Sequence, residues 1–192
     1  MSAIKKTYLN KIKNNILNYA MVRRDVIKES GDALHYAKRA IFAMHRDNMK
    51  EAVEKIKESE KIIKALNKKH RNSKAILDEG AYKAALEEYV EAVLFYQFIT
   101  TNKIDEIKSI NIPGEIYIAG LCDVPGELYR YAIKSATERN VDMVKKCSKM
   151  AAEITGELIE FNLTSYLRNK FDQAKSAVQK IERVVYELSL RQ

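Results

Sequence analysis

Residues 85–99 read Ala85-Leu86-Glu87-Glu88-Tyr89-Val90-Glu91-Ala92-Val93-Leu94-Phe95-Tyr96-Gln97-Phe98-Ile99. The apolar residues recur at helical spacing, and neither Gly nor Pro interrupts them, so the stretch reads as helix. Glu88 and Glu91 stand at i and i+3 and share one face, which continues into Ala92, Phe95, Phe98 and Ile99. Two like charges at the end of an apolar stripe repel each other, and the cost rises steeply once they are partly buried without a cation between them. The stretch therefore sets the fold class as helical and makes the two glutamates a candidate site.

The same period runs outward in both directions. A first helix is expected from about residue 2 to His45–Asp47, with Ile4, Leu9, Ile12, Ile16, Ala20, Ile27, Ala33, Ala37, Ala40, Ile41 and Met44 as its stripe and Gly31 as a weak point. A second is expected over Met49–His70, with Ala52, Ile56, Ile62, Ile63 and Leu66 on its apolar face. Arg71-Asn72-Ser73 makes the break, with Ser73 as N-cap. The third helix is expected over about 74–100, and a short turn within 104–112. A fourth opens at Pro113-Gly114-Glu115, with Pro in the first turn, and reaches about Asn140. Two more are expected over about 141–165 and 168–190. With 192 residues, only 6 Gly and only 2 Pro, the chain has little room for β-hairpins. It is expected to form one all-α domain over residues 1–192, an antiparallel bundle of six to seven helices.

Helix four carries a second acidic pair. In Gly120-Leu121-Cys122-Asp123-Val124-Pro125-Gly126-Glu127-Leu128, Asp123 and Glu127 are i and i+4 and share a face. Pro125 removes a helix hydrogen bond and is expected to bend the helix there. If helices three and four pack face to face, four carboxylates converge, and an all-oxygen set suits a hard cation such as Mg²⁺ or Mn²⁺. The alternative is two unrelated solvated pairs on charged helices.

Lysines and arginines exceed acidic residues by 34 − 26 = +8, which favours an anionic partner or serves only solubility. The basic residues gather at Arg23-Arg24, at Lys38-Arg39 with His45-Arg46, and at Lys68-Lys69-His70-Arg71, where Tyr19 and Tyr36 lie near the first two clusters. Positive charge for phosphates and rings for bases are what single-stranded nucleic acid requires, and a merely solvated face would look the same. His35, His45 and His70 are scattered and read as surface or phosphate-contacting residues. No Glu-x-x-His tetrapeptide, Gly-rich phosphate loop or G-x-S-x-G elbow occurs, which argues against di-iron, nucleotide-loop and serine-hydrolase chemistry. Cys122 and Cys147 make neither a zinc set nor a disulfide framework, and Cys122 reads as a core thiol. The first fifteen residues lack the apolar run of a signal peptide, and no stretch approaches the roughly 18 apolar residues of a membrane span. The expectation is a cytoplasmic protein.

Glu88-Tyr89-Val90-Glu91-Ala92-Val93, followed by Phe95 and Phe98-Ile99, closely resembles the third-helix motif of translin-associated factor X (TRAX). Gly120, Asp123 and Gly126-Glu127-Leu128 with Arg130 look like that family's second acidic motif. Lys38-Arg39, Ile41-Phe42 and His45-Arg46 match an earlier basic stretch, and Lys170-Phe171-Asp172 through Val184–Arg191 resembles the last helix of the translin superfamily. The chain is similar in compactness to the archaeal members. The resemblance implies a translin fold assembling into a hollow octamer, from this chain alone or with a translin-type subunit. It also implies Mg²⁺-dependent endoribonuclease activity on single-stranded RNA within the shell. On that reading Glu88, Glu91, Asp123 and Glu127 hold the metal and carry catalysis, while Arg24, Lys38, Arg39, Arg46 and Arg71 bind RNA. The rival expectation is a translin-like shell that binds single-stranded RNA or DNA without cutting it.

Overall fold

A computed structural model describes residues 5–70 and 78–190. Among these residues the chain forms six α-helices: α1 (Lys6–His45), α2 (Met49–His70), α3 (Gly80–Thr101), α4 (Gly114–Thr137), α5 (Val141–Ile159) and α6 (Ser165–Ser189). The expected all-α bundle is what folds, and no strand occurs among the described residues. The boundaries differ in several places. α3 begins at Gly80 rather than near 74, because Asp78 and Glu79 lie outside the helix and Glu79 occupies the N-cap position with extended dihedrals. The expected Ser73 cap falls outside the described residues. Pro113 sits at the N-cap of α4, one position before the first turn. α4 stops at Thr137, α5 at Ile159 rather than about 165, and α6 opens at Ser165. Residues 104–112 hold a bend and no helix.

Turns are built almost without glycine. Asp47, Asn102, Arg139 and Asn162, each near the end of a helix, have φ of 58°, 55°, 60° and 47°. Asn and Asp tolerate this left-handed region better than other side chains, and they take the place that Gly would normally hold. Asn48 accepts the Glu51 amide at 3.2 Å while its own amide donates to the Glu51 carboxylate at 3.0 Å, fixing the start of α2.

α1 packs on α2 and α3, α4 packs on α5 and α6, and α3 meets α4 between these two groups. α3 is the central helix, burying Tyr82, Leu86, Tyr89, Val90, Leu94, Phe95 and Phe98 against both sides. One close approach sets the spacing between α3 and α4. A Cβ on Gly120 would lie 2.7 Å from Val90 Cβ and 2.8 Å from the Glu87 carbonyl oxygen, so only glycine lets the two backbones come this near. α4 runs unbroken across Pro125, which is buried.

The expected stripe on α1 is buried only in its second half. Val26, Ala33, Ala37, Ala40, Ile41 and Met44 are core, whereas Leu9, Ile16, Ala20 and Ile27 are exposed in the single chain. The reason is length. α2 folds back along α1 and ends where Lys69 meets Glu29 at 3.2 Å, and Glu79 reaches Arg23 at 2.6 Å, so the 40-residue α1 outruns its neighbours.

Candidate functional site

The close approach at Gly120 puts the next turn of α4 beside the acidic face of α3. Glu88, Glu91, Asp123 and Glu127 come together there, and each of Glu88 and Glu91 feels the charge of both Asp123 and Glu127. The face-to-face packing expected from the two spacings is therefore present.

The four carboxyl groups do not share one electrostatic state. Burial is the main cause that raises Glu88 to about 7; Lys38 opposes it, and Asp123 and Glu127 add to it. Glu91, 8% exposed, is pushed well above the usual carboxylate range by burial and by Asp123, Glu88 and Glu127. Its position explains this: among the described residues no side chain donates it a hydrogen bond, and the Lys38 ammonium reaches only Glu88, at 3.9 Å.

The pair on α4 has partners. Burial also pushes Asp123 up, but the Lys170 ammonium of α6 opposes it at 2.5 Å. Lys170 lies 3.2 Å from Glu87 as well, and Tyr166 donates to Glu87 at 2.7 Å. Burial alone would lower Lys170; the bond to Asp123 and the charge of Glu87 outweigh it, and the ammonium is held above its usual value. Burial would likewise raise Glu127, yet the hydrogen bond from the His45 ring and the Arg130 guanidinium outweigh it and bring Glu127 below its usual value. Arg130 donates to both oxygens of Glu127 at 3.0 Å. The His45 ring packs against Phe95 at 5.1 Å and Tyr131 at 6.1 Å between centroids, which holds it in place.

The chemistry of this donor set fits a hard divalent cation: four carboxyl groups, all-oxygen, mutually repelling, one of them buried without a hydrogen-bond donor. As the side chains stand, however, no group of three His, Cys, Asp or Glu among the described residues is gathered into a ready metal cage. Lys170 is paired with Asp123, and the His45 ring and Arg130 are bonded to Glu127.

The basic residues divide. Lys38 reaches Glu88 and His45 reaches Glu127, two turns apart on the same side of α1. Phe42 lies between them, 52% exposed, with Arg130 5.5 Å from its ring centroid. Arg39 and Arg46 stand on the neighbouring side and pair with Glu51 of α2 at 3.0 and 3.5 Å. Of these, Lys38 and His45 reach the acidic centre, and Arg39 and Arg46 are held on α2. Arg24 is exposed on α1 but sits 14 residues before Lys38, about 21 Å away along the helix. Arg71 lies outside the described residues. Two of the three histidines depart from the surface reading: His45 is half-buried on Glu127 and His70 is buried, while His35 is exposed. Tyr36 is met by Lys55, 5.6 Å from its centroid, and is half-buried, whereas Phe42 keeps more of its ring exposed beside Arg130. Cys122 is a core thiol as expected, pushed up to about 11 chiefly by burial.

Lys170 is the site residue that sequence reasoning passed over, and a signal for it existed. Ala174, Ala177 and Ile181 form the buried stripe of α6, and Lys170 continues that stripe one turn towards the N-terminus, where an ammonium has no packing purpose.

The six-helix bundle defines a fold class, and comparison gives the family. A model of the translin family matches residues 21–192, and the chain belongs to that family. An uncharacterised protein of Methanocaldococcus jannaschii is 30% identical over 179 residues, spanning 90% of this chain and 78% of that one. The translin-associated protein X homolog of Schizosaccharomyces pombe is 24% identical, with 88% of this chain and 82% of that protein covered. Among solved structures, AfC3PO superposes with a TM-score of 0.87 at 19% identity, covering 96% of this chain and 98% of that one, and its complex with duplex RNA superposes at 0.86 and 20%. No helix among the described residues is long and apolar enough to cross a membrane.

Proposed function

We propose that this chain is a TRAX-type, divalent-metal-dependent endoribonuclease acting on single-stranded RNA inside an oligomeric shell. The observation that carries the reading is that Glu88 and Glu91 on α3 lie close enough to Asp123 and Glu127 on α4 to feel their charge, in a half-buried site that Lys38 reaches from α1. Those four carboxylates would hold Mg²⁺, with Mn²⁺ as the alternative ion. When bound, such an ion lowers the pKa of a coordinated water and neutralises charge on a phosphate. The chain's own side chains do the rest. Lys38, Arg39 and Arg46 attract the RNA backbone, and Phe42 offers a ring for an unstacked base. His45 holds the Glu127 carboxylate in one orientation while Phe95 and Tyr131 hold His45.

RNA as the partner agrees with a related fold solved with duplex RNA. Assembly with copies of itself, as an octamer or with a translin-type subunit, agrees with the apolar residues Leu9, Ile16, Leu17 and Met21 left exposed on α1. Incubating the protein with labelled single-stranded and duplex oligoribonucleotides, with Mg²⁺ or Mn²⁺ and with EDTA, tests the reading. Cleavage that EDTA stops, and that Glu91→Gln or Asp123→Asn abolishes while RNA binding persists, is expected. Wild-type cutting by either variant removes the assignment.

One observation favours a second reading. Lys170 and Arg130 already neutralise the α4 pair, as a non-catalytic RNA-binding shell would require. Such a shell binds RNA with unchanged affinity in EDTA and never cuts it.

A further inference from the structure

Lys170 is an ammonium only 13% exposed at the side chain, set at the head of an apolar stripe and clamped between α3 and α4. It lies 2.5 Å from Asp123, 3.2 Å from Glu87 and 5.3 Å from the centroid of the Tyr166 ring. Burying a charged amine costs heavily unless it is paired, so its presence needs a reason that packing does not supply. The reason lies in its surroundings. Lys38 reaches Glu88 and Arg130 reaches Glu127, and among the described residues Lys170 is the cation paired with Asp123.

Resting on the metal-dependent reading above, we propose that Lys170 is a built-in counter-ion that occupies the acidic centre in the absence of metal and is displaced from Asp123 when a divalent cation enters. Glu87 makes the exchange inexpensive. It lies outside the set of four carboxylates and is already within hydrogen-bond distance of the ammonium, so Lys170 keeps one partner after leaving Asp123. The exchange frees the Asp123 oxygen for the cation and leaves the lysine at the edge of the site, stacked against Tyr166. Lys170 is thus a positioning residue. It holds α6 on α3 and α4 and keeps the carboxylates assembled until the ion arrives.

The test is binding of Mg²⁺ alone, followed by calorimetry, to the full chain and to Lys170→Met and Lys170→Arg. Removing a competing unit charge from beside Asp123 is expected to tighten Mg²⁺ binding in the Met variant by about tenfold or more, with the Arg variant near wild type. The Met variant also gains more thermal stability from Mg²⁺ than wild type does. Equal or weaker binding by the Met variant overturns the proposal, because a lysine that only packs the helices gives that result. If the Met variant does not fold, amine acylation of the wild-type protein read by mass spectrometry decides the matter. Acylation of Lys170 is expected to rise on Mg²⁺ saturation while that of the exposed Lys108 stays constant; no rise at saturation overturns the proposal. Absence of any Mg²⁺ binding in wild type and both variants defeats the metal-dependent reading itself, a result distinct from equal binding by all three.

Discussion

The acidic residues of α3 and those of α4 are alike in type and in same-face spacing, yet they sit in opposite environments. Glu88 and Glu91 are driven upward by burial and by their acidic neighbours; Lys170 opposes both from a distance, and Lys38, at 3.9 Å, opposes Glu88 alone. Asp123 and Glu127 are met by Lys170, His45 and Arg130. The lesson is that a carboxylate's readiness to take a cation is set by which cations other helices bring to it. Here α1 and α6 serve α4 and largely leave α3 unserved. The α3 side is where charge is missing, and the α4 side is where charge must be exchanged.

The largest effect expected is on cleavage. Both Glu91→Gln and Asp123→Asn should lower it by about a hundredfold or more, as losing a group that aids metal chemistry does. The same two variants separate the halves by stability. Glu91→Gln removes an unpartnered buried carboxyl and should leave the metal-free protein as stable or more so at pH 8. Asp123→Asn removes a partner of Lys170 and should cost on the order of 1–3 kcal/mol in urea unfolding. Equal stability changes would erase the contrast.

Gly120→Val breaks the arrangement from the backbone. Its side chain would meet Val90 and the Glu87 carbonyl at 2.7 to 2.8 Å, so the helices must part. Overpacking of this kind costs about 1–3 kcal/mol, and here it should also lower cleavage by separating the two acidic pairs. The unfolding midpoint and the cleavage rate, measured on one preparation, check both.

The pH dependence of metal-free stability sharpens the comparison. Glu88 goes from an ordinary 4.5 to about 7 in the folded state, so the folded protein binds this proton more tightly than the unfolded chain. Stability should therefore rise as pH falls from about 8 to 5, by on the order of 2–3 kcal/mol from this group once solvent screening at its exposed edge is discounted. Glu91 acts in the same direction. Glu127 is lowered and works the other way. Its contribution is present above its ordinary 4.5 and is lost as pH falls through its lower folded value. Thermal melts between pH 4 and 8 should show a maximum, and saturating Mg²⁺ should flatten the alkaline limb.

The smallest effect belongs to the arginines held on α2. Arg39→Ala with Arg46→Ala removes exposed pairs to Glu51, worth under about 1 kcal/mol to stability. RNA affinity should weaken, and the salt slope should fall by about 0.7 for each phosphate that the variant no longer neutralises.

Much of this was legible along the chain. The apolar period announced six to seven helices, and the ends expected near Asp47, residue 100 and Asn140 fall within a few residues of where the chain turns. The pairs Glu88/Glu91 and Asp123/Glu127 were visible because same-face spacing is a local property of a helix. Lys38 and Arg130 were visible as charges, but not as partners of particular carboxylates. His45 and Lys170 were legible only as residues out of keeping with their surroundings.

The sequence by itself determined that the chain is helical, where its carboxylates stand on each helix, and that basic residues accompany them, because periodicity and composition are carried by neighbours along the chain. Only the tertiary structure decided that Gly120 brings α3 and α4 close enough for the two pairs to interact, and that Lys170 arrives from 47 residues away to hold Asp123. It also decided that the first half of α1 stays largely exposed among the described residues. Those are matters of distance and solvent exclusion, and both depend on how separate helices meet.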